Sequence, residues 1–559
     1  VAILKRIAFA GEILTSCRRA NRFSSAAMNQ SYLIDGLVLL AYFAAIIGVG
    51  LSQRSKSGSV EGFSLGDRQI AWWAVLASIL AAEISAATFL GAPGEGFAKR
   101  NWTYAQLAIG TVLARIFVGF VFIPIYYRHG VVSIYEFLGT RFGPLTRRLA
   151  SATFLLTRVL AMGTRLYVSA IIVVLAVAMF RGGKEVTPDE KFWLYAGAVV
   201  FVTLLTAVYT TVGGIRAVIW TDFIQVGVLV ASLAFTIPFL LGKIDGGWAA
   251  IAAQIKPPVF FDTVPPLDGE TTGAWLTRMF SMEYTIYAAF IGSTFVTMAT
   301  HGIDQDTVQR MLTAKNRKQS AFATILSGVV DLPIVSAFIL IGLLLSIYYS
   351  TNAPADLPKE GREVFPYFIL HEMKPGLRGL VAAGILATAM GSLSTALNAL
   401  ATSFARDFAF PYMEKSGIPV DQKRQVAVLR WSTVLFSFFI VVVGVGTAHF
   451  MAKNPTERII PLVLGILGFT FGSLLGLFLI GLLTKRRGSD LGNALAVFAG
   501  IVAVLWASGV PHKFFPIPEL LPKFTLAFPW RITLGTLVTF GVAALFSTPQ
   551  RGVGDPGSH

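Results

Sequence analysis

Thirteen runs of about 20 predominantly apolar residues decide what this chain of 559 residues can fold into. They lie near 32–52, 71–92, 103–127, 149–180, 192–212, 217–242, 276–301, 320–349, 378–404, 427–452, 457–484, 490–509 and 525–547. A helix of this length spans the hydrocarbon core of a bilayer. Inside that core every backbone amide must find its partner within the protein, so such runs are helices. The connections between them are mostly short and leave no room for a separate soluble domain. Hydrophobic residues make up 55% of the chain and charged residues only 14%, against about 25% in soluble domains. This composition excludes a soluble enzyme, a disordered chain and a disulfide scaffold. The single cysteine, Cys17, excludes an internal disulfide and a cysteine metal site.

The net charge of +16 would point to nucleic acid in a soluble protein. Here it reads as basic loops held near anionic lipid, and nucleic acid is not an expected partner. Arg141, Arg147 and Arg148 follow the third run, and Arg310, Lys315, Arg317 and Lys318 follow the seventh. Lys415, Lys423 and Arg424 follow the ninth, and Lys485, Arg486 and Arg487 the eleventh. All four loops fall on one side, which the positive-inside rule makes cytoplasmic. The first span then starts outside, the C-terminus lies inside, and the long connections 243–275 and 350–377 face out. The expected setting is the cell's inner membrane. Residues 1–27, with Lys5, Arg6, Arg18, Arg19 and Arg22, break this pattern, which favours a start at Met28 and an extension that is mis-assigned or disordered.

Enzyme signatures fail on context. Gly62-Phe63-Ser64-Leu65-Gly66 has the spacing of a nucleophile elbow but lies between two spans, where no sheet can carry it. No Gly-Lys pair is followed by Ser or Thr, so the chain has no P-loop. His371-Glu372 lacks the second histidine of a zinc motif. Gly468, Gly472 and Gly476 recur every four residues and read as a close helix contact. The chain is not expected to be an enzyme.

Chemistry is expected where polar residues enter the spans, because each one costs free energy in lipid. The second span carries Ala81-Ala82-Glu83-Ile84-Ser85-Ala86-Ala87-Thr88, followed by Gly91, Pro93 and Gly94. The ninth carries Thr388 through Asn398, rich in hydroxyls. Interhelical hydrogen bonding is one reading of these stretches. The other is a sodium site, since a dehydrated hard cation needs several oxygens and interrupted helices supply carbonyls beside hydroxyls. Further charges inside the spans are Arg158, Arg165, Asp222, Glu283 and Asp331. Arg158 and Arg165 lie two turns apart on one helix face, and either could neutralise Glu83.

At these residues the chain resembles the sodium:solute symporter family. Gly213-Gly214-Ile215-Arg216-Ala217-Val218-Ile219-Trp220-Thr221-Asp222-Phe223-Ile224-Gln225 looks like the family signature. Gln305–Lys315 and the stretch from Trp72-Trp73 to Ser85 look like two further family segments. The resemblance covers about 32–510. It implies an all-α polytopic membrane protein of about 13 helices with a core of two five-helix repeats of opposite topology, 71–242 and 276–484. Residues 28–70 would be a peripheral first helix with its loop, 490–547 two peripheral C-terminal helices, and 548–559 a cytoplasmic tail.

The resemblance further implies sodium as the coupling ion, one or two per cycle, and a small-molecule solute as the cargo of a membrane-embedded monomer. Motif matching places the first sodium site on Ala81, Ile84, Thr388, Gly391 and Ser392. Gly391 departs from the serine of many relatives, which removes one hydroxyl. A second site falls on Asp222, Ser394 and Thr395. The substrate positions implied are Ser85, Thr88, Gln106, Arg165, Thr297 and Thr300. Thr88, Leu107 and Thr300 stand where galactose-type relatives carry sugar-binding and gating side chains. Arg158 and Arg165 flank Ala161, the position of a carboxylate-binding arginine in sialic-acid-type relatives. A carboxylate solute is the favoured reading, with a neutral sugar or vitamin-like compound the alternative. A channel would need a continuous polar stripe on several helices. An embedded enzyme or receptor would need a catalytic or signalling unit.

Overall fold

A computed structural model describes residues 32–54, 58–180, 187–254, 259–453, 459–509 and 525–547. The N-terminal extension with Cys17 and Met28 and the tail 548–559 lie outside the described residues. The elements are helices throughout, with only two isolated bridge pairs among the described residues. They are α1 (Tyr32–Ser52), α2 (Trp72–Glu83), α3 (Ala86–Lys99), α4 (Thr103–His129), α5 (Pro144–Phe180), α6 (188–213), α7 (215–241) and α8 (286–302). There follow α9 (Gln305–Met311), α10 (Arg317–Asn352), α11 (Leu377–Lys415), α12 (Gln422–Lys453), α13 (Ile459–Leu483), α14 (Asp490–Ala507) and α15 (Phe528–Ala544). Each of the thirteen apolar runs falls on helix. Large apolar side chains such as Leu156, Phe201, Phe438 and Leu537 stay exposed on the outside of the bundle, as a lipid-facing surface requires.

Residues 188–241 run as one continuous helical stretch, broken only at Gly214 with φ 56° and ψ −151°. Unbroken, it would be about 80 Å long, far more than a bilayer core of about 30 Å. The break makes it two spans, as the sequence pattern requires. Gly214 is obligatory on two grounds. Its backbone lies where L side chains are strained, and a Cβ would stand 2.6 Å from the Phe63 carbonyl oxygen. The paired glycines of the signature are therefore the turn that lets α7 start.

The axis of the bundle is α11. Of its most apolar 18-residue window 89% is buried, against 22–56% for the other long spans. Small residues make this close packing possible. A Cβ at Gly384, for example, would stand 2.5 Å from the Ser232 hydroxyl of α7. Gly472 and Gly476 abut the backbone of α15, where a Cβ would come within 2.5 Å of the Ile532 carbonyl and 2.8 Å of the Thr536 carbonyl, whereas Gly468 has only Arg531 at 3.9 Å. The four-residue glycine repeat is thus a packing seam over two of its three members.

Two expectations change. The seventh span begins later than 276, because Thr272–Ser281 is a helix of its own and Met282 is extended. Thr285 then accepts from the Ala288 amide at 3.1 Å and starts α8. Glu283 consequently sits in the break and not inside a span. Of the basic residues after α8, Arg310 is buried in α9, whereas Lys315, Arg317 and Lys318 stay exposed. All seven residues of α9 are buried, and Gln309 Nε2 donates to the Ser64 carbonyl at 2.7 Å and to Asn398 Oδ1 at 2.6 Å. Ser64 itself is buried and shares a hydrogen with Thr402 at 2.9 Å, which removes it as a nucleophile.

Replacement of Gly214 by Ala tests the turn. Strain of about 1–3 kcal/mol is expected from the backbone alone, before the contact with Phe63. A melting curve of the purified variant should move down by several degrees, whereas Gly227→Ala, with open space around it, should leave it in place.

Candidate functional site

The site grows from one interruption. The ladder of α2 ends with the Ile84 amide donating to the Leu80 carbonyl at 3.0 Å. Ile84 and Ser85 are extended, with ψ of 98° and 167°, and α3 restarts at Ala86. The two halves meet at 61°. The sequence makes this break affordable with small residues on both sides, not with Pro93, which sits inside α3. The last carbonyls of α2 lose their i+4 donors at the break.

Facing the break is the hydroxyl-rich part of α11, buried throughout from Thr388 to Thr395. Ser392 Oγ donates to the Ala82 carbonyl at 3.3 Å. Ser394 and Thr395 donate to the Gly391 carbonyl at 3.1 and 2.5 Å, and Thr388 donates to the Ile385 carbonyl at 2.7 Å. Gly391 leaves a notch, because a Cβ there would stand 2.7 Å from Gln225 Oε1 and 3.3 Å from the Ala81 carbonyl oxygen. From α7, Asp222 is fully buried, accepts from Ser78 at 2.6 Å and pairs with Arg310 at 3.3 Å. Its Oδ1 has no hydrogen-bond partner. The eight residues expected to hold sodium lie on three mutually packed elements, and the hydroxyls of Thr388, Ser394 and Thr395 are engaged by carbonyls of their own helix.

On the other side of the break opens a cavity of about 320 Å³. Ile84, Ser85, Thr88, Arg165, Thr297 and Thr300 line it, with Glu83, Glu95, Tyr104 and Asp331. Five of the six expected substrate residues are thus brought together. Gln106 is not: it is buried away from the cavity wall, and both its amide atoms lack partners. Thr297 shares a hydrogen with Thr111 at 3.3 Å, and Thr300 contacts His301 Nδ1 at 3.0 Å.

The charges are arranged differently from the sequence expectation. Glu83 pairs with Arg115 of α4, an arginine outside that expectation. Arg158 is engaged by Asp304, at 3.2 Å, and by Asp306. Arg115, wholly buried, also donates to Ser327 at 2.6 Å. Its place in the third apolar run marks it as an intramembrane charge that the sequence reading passed over. The partners of Arg158 were hidden for a different reason, since Asp304 and Asp306 lie outside the apolar runs and enter the core only because α9 folds inward.

The model of the sodium:solute symporter family matches residues 63–500. The chain is 29% identical over 486 residues to the sodium/sialic acid symporter SiaT of Proteus mirabilis, covering 85% of this chain and 89% of that protein. It is 27% identical over 502 residues to the sodium-coupled monocarboxylate transporter 1 of Xenopus laevis, covering 88% and 74%. A solved sodium-coupled sialic acid symporter in a substrate-bound outward-open state superposes with a TM-score of 0.73 at 24% identity, over 92% of this chain and 97% of that one. The fold is therefore the one shared by such sodium-coupled transporters.

A double-mutant cycle checks the pairing of Glu83. Arg115→Gln alone should lower stability, by less than the about 3–5 kcal/mol of a fully buried pair, because it leaves Glu83 unpaired on the cavity wall with 24% of its side chain exposed. Adding Glu83→Gln should recover most of that loss in a thermal melt, and the same rescue should fail for Arg165→Gln. The polar interior, the broken helix and the signature turn are all explained together: this chain belongs to the sodium:solute symporter family, multi-pass membrane proteins that couple solute movement to sodium.

Proposed function

We propose that the chain imports a small carboxylate-bearing solute with sodium, by alternating access across a cell membrane. Arg165 carries the reading. It lines the cavity together with Ser85, Thr88, Thr297 and Thr300. A guanidinium offers a carboxylate two parallel donors. The sialic acid and monocarboxylate specificities of the relatives point to the same chemistry. Asp331 lines the same cavity and favours a solute with hydroxyl or ammonium donors at its other end. A plain hydrocarbon acid would leave that carboxylate unanswered.

Sodium is assigned to Ala81, Ile84, Thr388, Gly391 and Ser392, and a second ion to Asp222, Ser394 and Thr395. The donor set fits a hard cation, which takes oxygen ligands. The unpartnered Asp222 Oδ1 and the carbonyls of the last turn of α2, cut off from their i+4 donors by the break, are the acceptors that support the assignment. The four basic clusters orient the chain with α1 starting outside and the C-terminus inside. We assign it as a monomer surrounded by lipid.

Reconstituted in proteoliposomes, Arg165→Lys should lower uptake of carboxylates tenfold or more, since one fork of about 1.4 kcal/mol is lost. Thermal stabilisation by sodium without solute should persist. Equal uptake by both proteins would end the carboxylate assignment. The two-ion assignment has an electrical test. Two sodium ions with one monoanion move one net charge. A tenfold gradient and 100 mV then supply about 5 kcal/mol, enough for nearly 10⁴-fold accumulation. Electroneutral uptake would remove the second ion.

A further inference from the structure

Gly391 lacks the hydroxyl that its neighbours on α11 provide, yet the space beside it is not vacant. Gln225 of α7 points its side-chain oxygen there, 2.7 Å from the position a Cβ would take. The Ala81 carbonyl oxygen stands 3.3 Å from that same point. Gln225 is only 2% exposed, and neither its Oε1 nor its Nε2 has a hydrogen-bond partner. The Tyr42 and Tyr209 hydroxyls face the amide without closing a well-formed hydrogen bond to it, and a buried carboxamide left without one is costly. Side chains three residues apart share a helix face, so Gln225 lies beside Asp222, the acid of the second proposed ion.

We propose that Gln225 is a sodium ligand, its carboxamide oxygen standing in for the side-chain oxygen that Gly391 cannot supply. The proposal rests on the sodium reading above and adds a residue to it. Gly391 and Gln225 are then one device. The missing side chain on α11 makes the room, and the longer one from α7 fills it with an oxygen at the mouth of the α2 break. A neutral amide adds a donor without adding charge, which keeps the carboxylate count at one beside Arg310. A serine at 391 would not simply add an oxygen. Its Cβ would press on Gln225 Oε1 and drive the amide out, exchanging one ligand for another.

The competing arrangement turns the amide over, so that Nε2 donates to the Ala81 carbonyl and Gln225 is a strut. The two make opposite forecasts. Purified protein is titrated with sodium chloride, potassium chloride holding the ionic strength, and the sodium midpoint of thermal stabilisation is read. Gln225→Ala should raise that midpoint about tenfold, the equivalent of one lost oxygen ligand, with the melting temperature in potassium alone moving little. Gln225→Glu keeps the oxygens and cannot donate, and should hold or lower the midpoint. Gly391→Ser should change it less than threefold, and Gly391→Ser combined with Gln225→Ala should return it to the wild-type value. Ser392→Ala serves as the reference for the site itself. If it shifts the midpoint while Gln225→Ala does not, sodium binds here without Gln225. If neither shifts it, the sodium site lies elsewhere. A loss of stability in Gln225→Glu that is equal in sodium and potassium identifies the strut and overturns the proposal.

Discussion

The structure depends on the two-residue gap in the α2–α3 span. A backbone carbonyl in a bilayer must be answered from within the protein, and breaking a helix there leaves several unanswered at once. Everything that surrounds Ile84 and Ser85 serves that need. The central helix α11 brings hydroxyls within reach, and Ser392 already answers the Ala82 carbonyl. Small residues on both helices let the two backbones approach. The carbonyls left at the end of α2 are the ones on which the proposed sodium site draws.

Buried charge is handled with equal economy. The arginines of the interior are matched to acids from other elements: Arg115 to Glu83, Arg158 to Asp304 and Asp306, Arg310 to Asp222, Arg378 to Asp35. Each pair crosses between helices and so fixes their relative placement. Such pairs add little net stability, because desolvation offsets attraction. They do make any other packing of the same helices expensive. The short helix α9 is the meeting point, supplying acids to α5 and a base to α7. A polar heptapeptide is worth burying for that reason alone.

The sequence was legible wherever the signal was local. Apolar length placed the runs on helix, and the signature glycines located the turn at Gly214. The hydroxyl run at 388–395 and the small, polar middle of the second span identified the two elements that face each other. Pairing was not legible, because it depends on which helices touch. Glu83 was open to several arginines until α4 was seen to carry Arg115 beside it. Gln106, adjacent in sequence to the cavity residue Leu107, is buried off the cavity wall, since neighbours on a helix do not share a face. The late start of α8 was encoded in Thr285, a capping residue buried inside a long apolar run, where hydropathy outweighs a single cap.

The same gap explains how two ligands can be coupled over a short distance. Ile84 lies between the proposed sodium ligands and also on the cavity wall, and Ser85 is its neighbour on that wall. Each keeps a ladder bond on one side only, the Ile84 amide to the Leu80 carbonyl and the Ser85 carbonyl to the Phe89 amide, so the joint between them is the least supported part of the span. A cation gripping the freed carbonyls fixes the direction in which Ser85 and the start of α3 present themselves to the cavity. A solute held between Thr88 and Arg165 fixes the same backbone from the other side. Each ligand therefore removes conformational freedom that the other would have had to remove. Linkage requires the effect to be equal in both directions. On the proposed assignment, coupling of solute to sodium needs no long pathway through the protein, because both sites share the Ile84–Ser85 break.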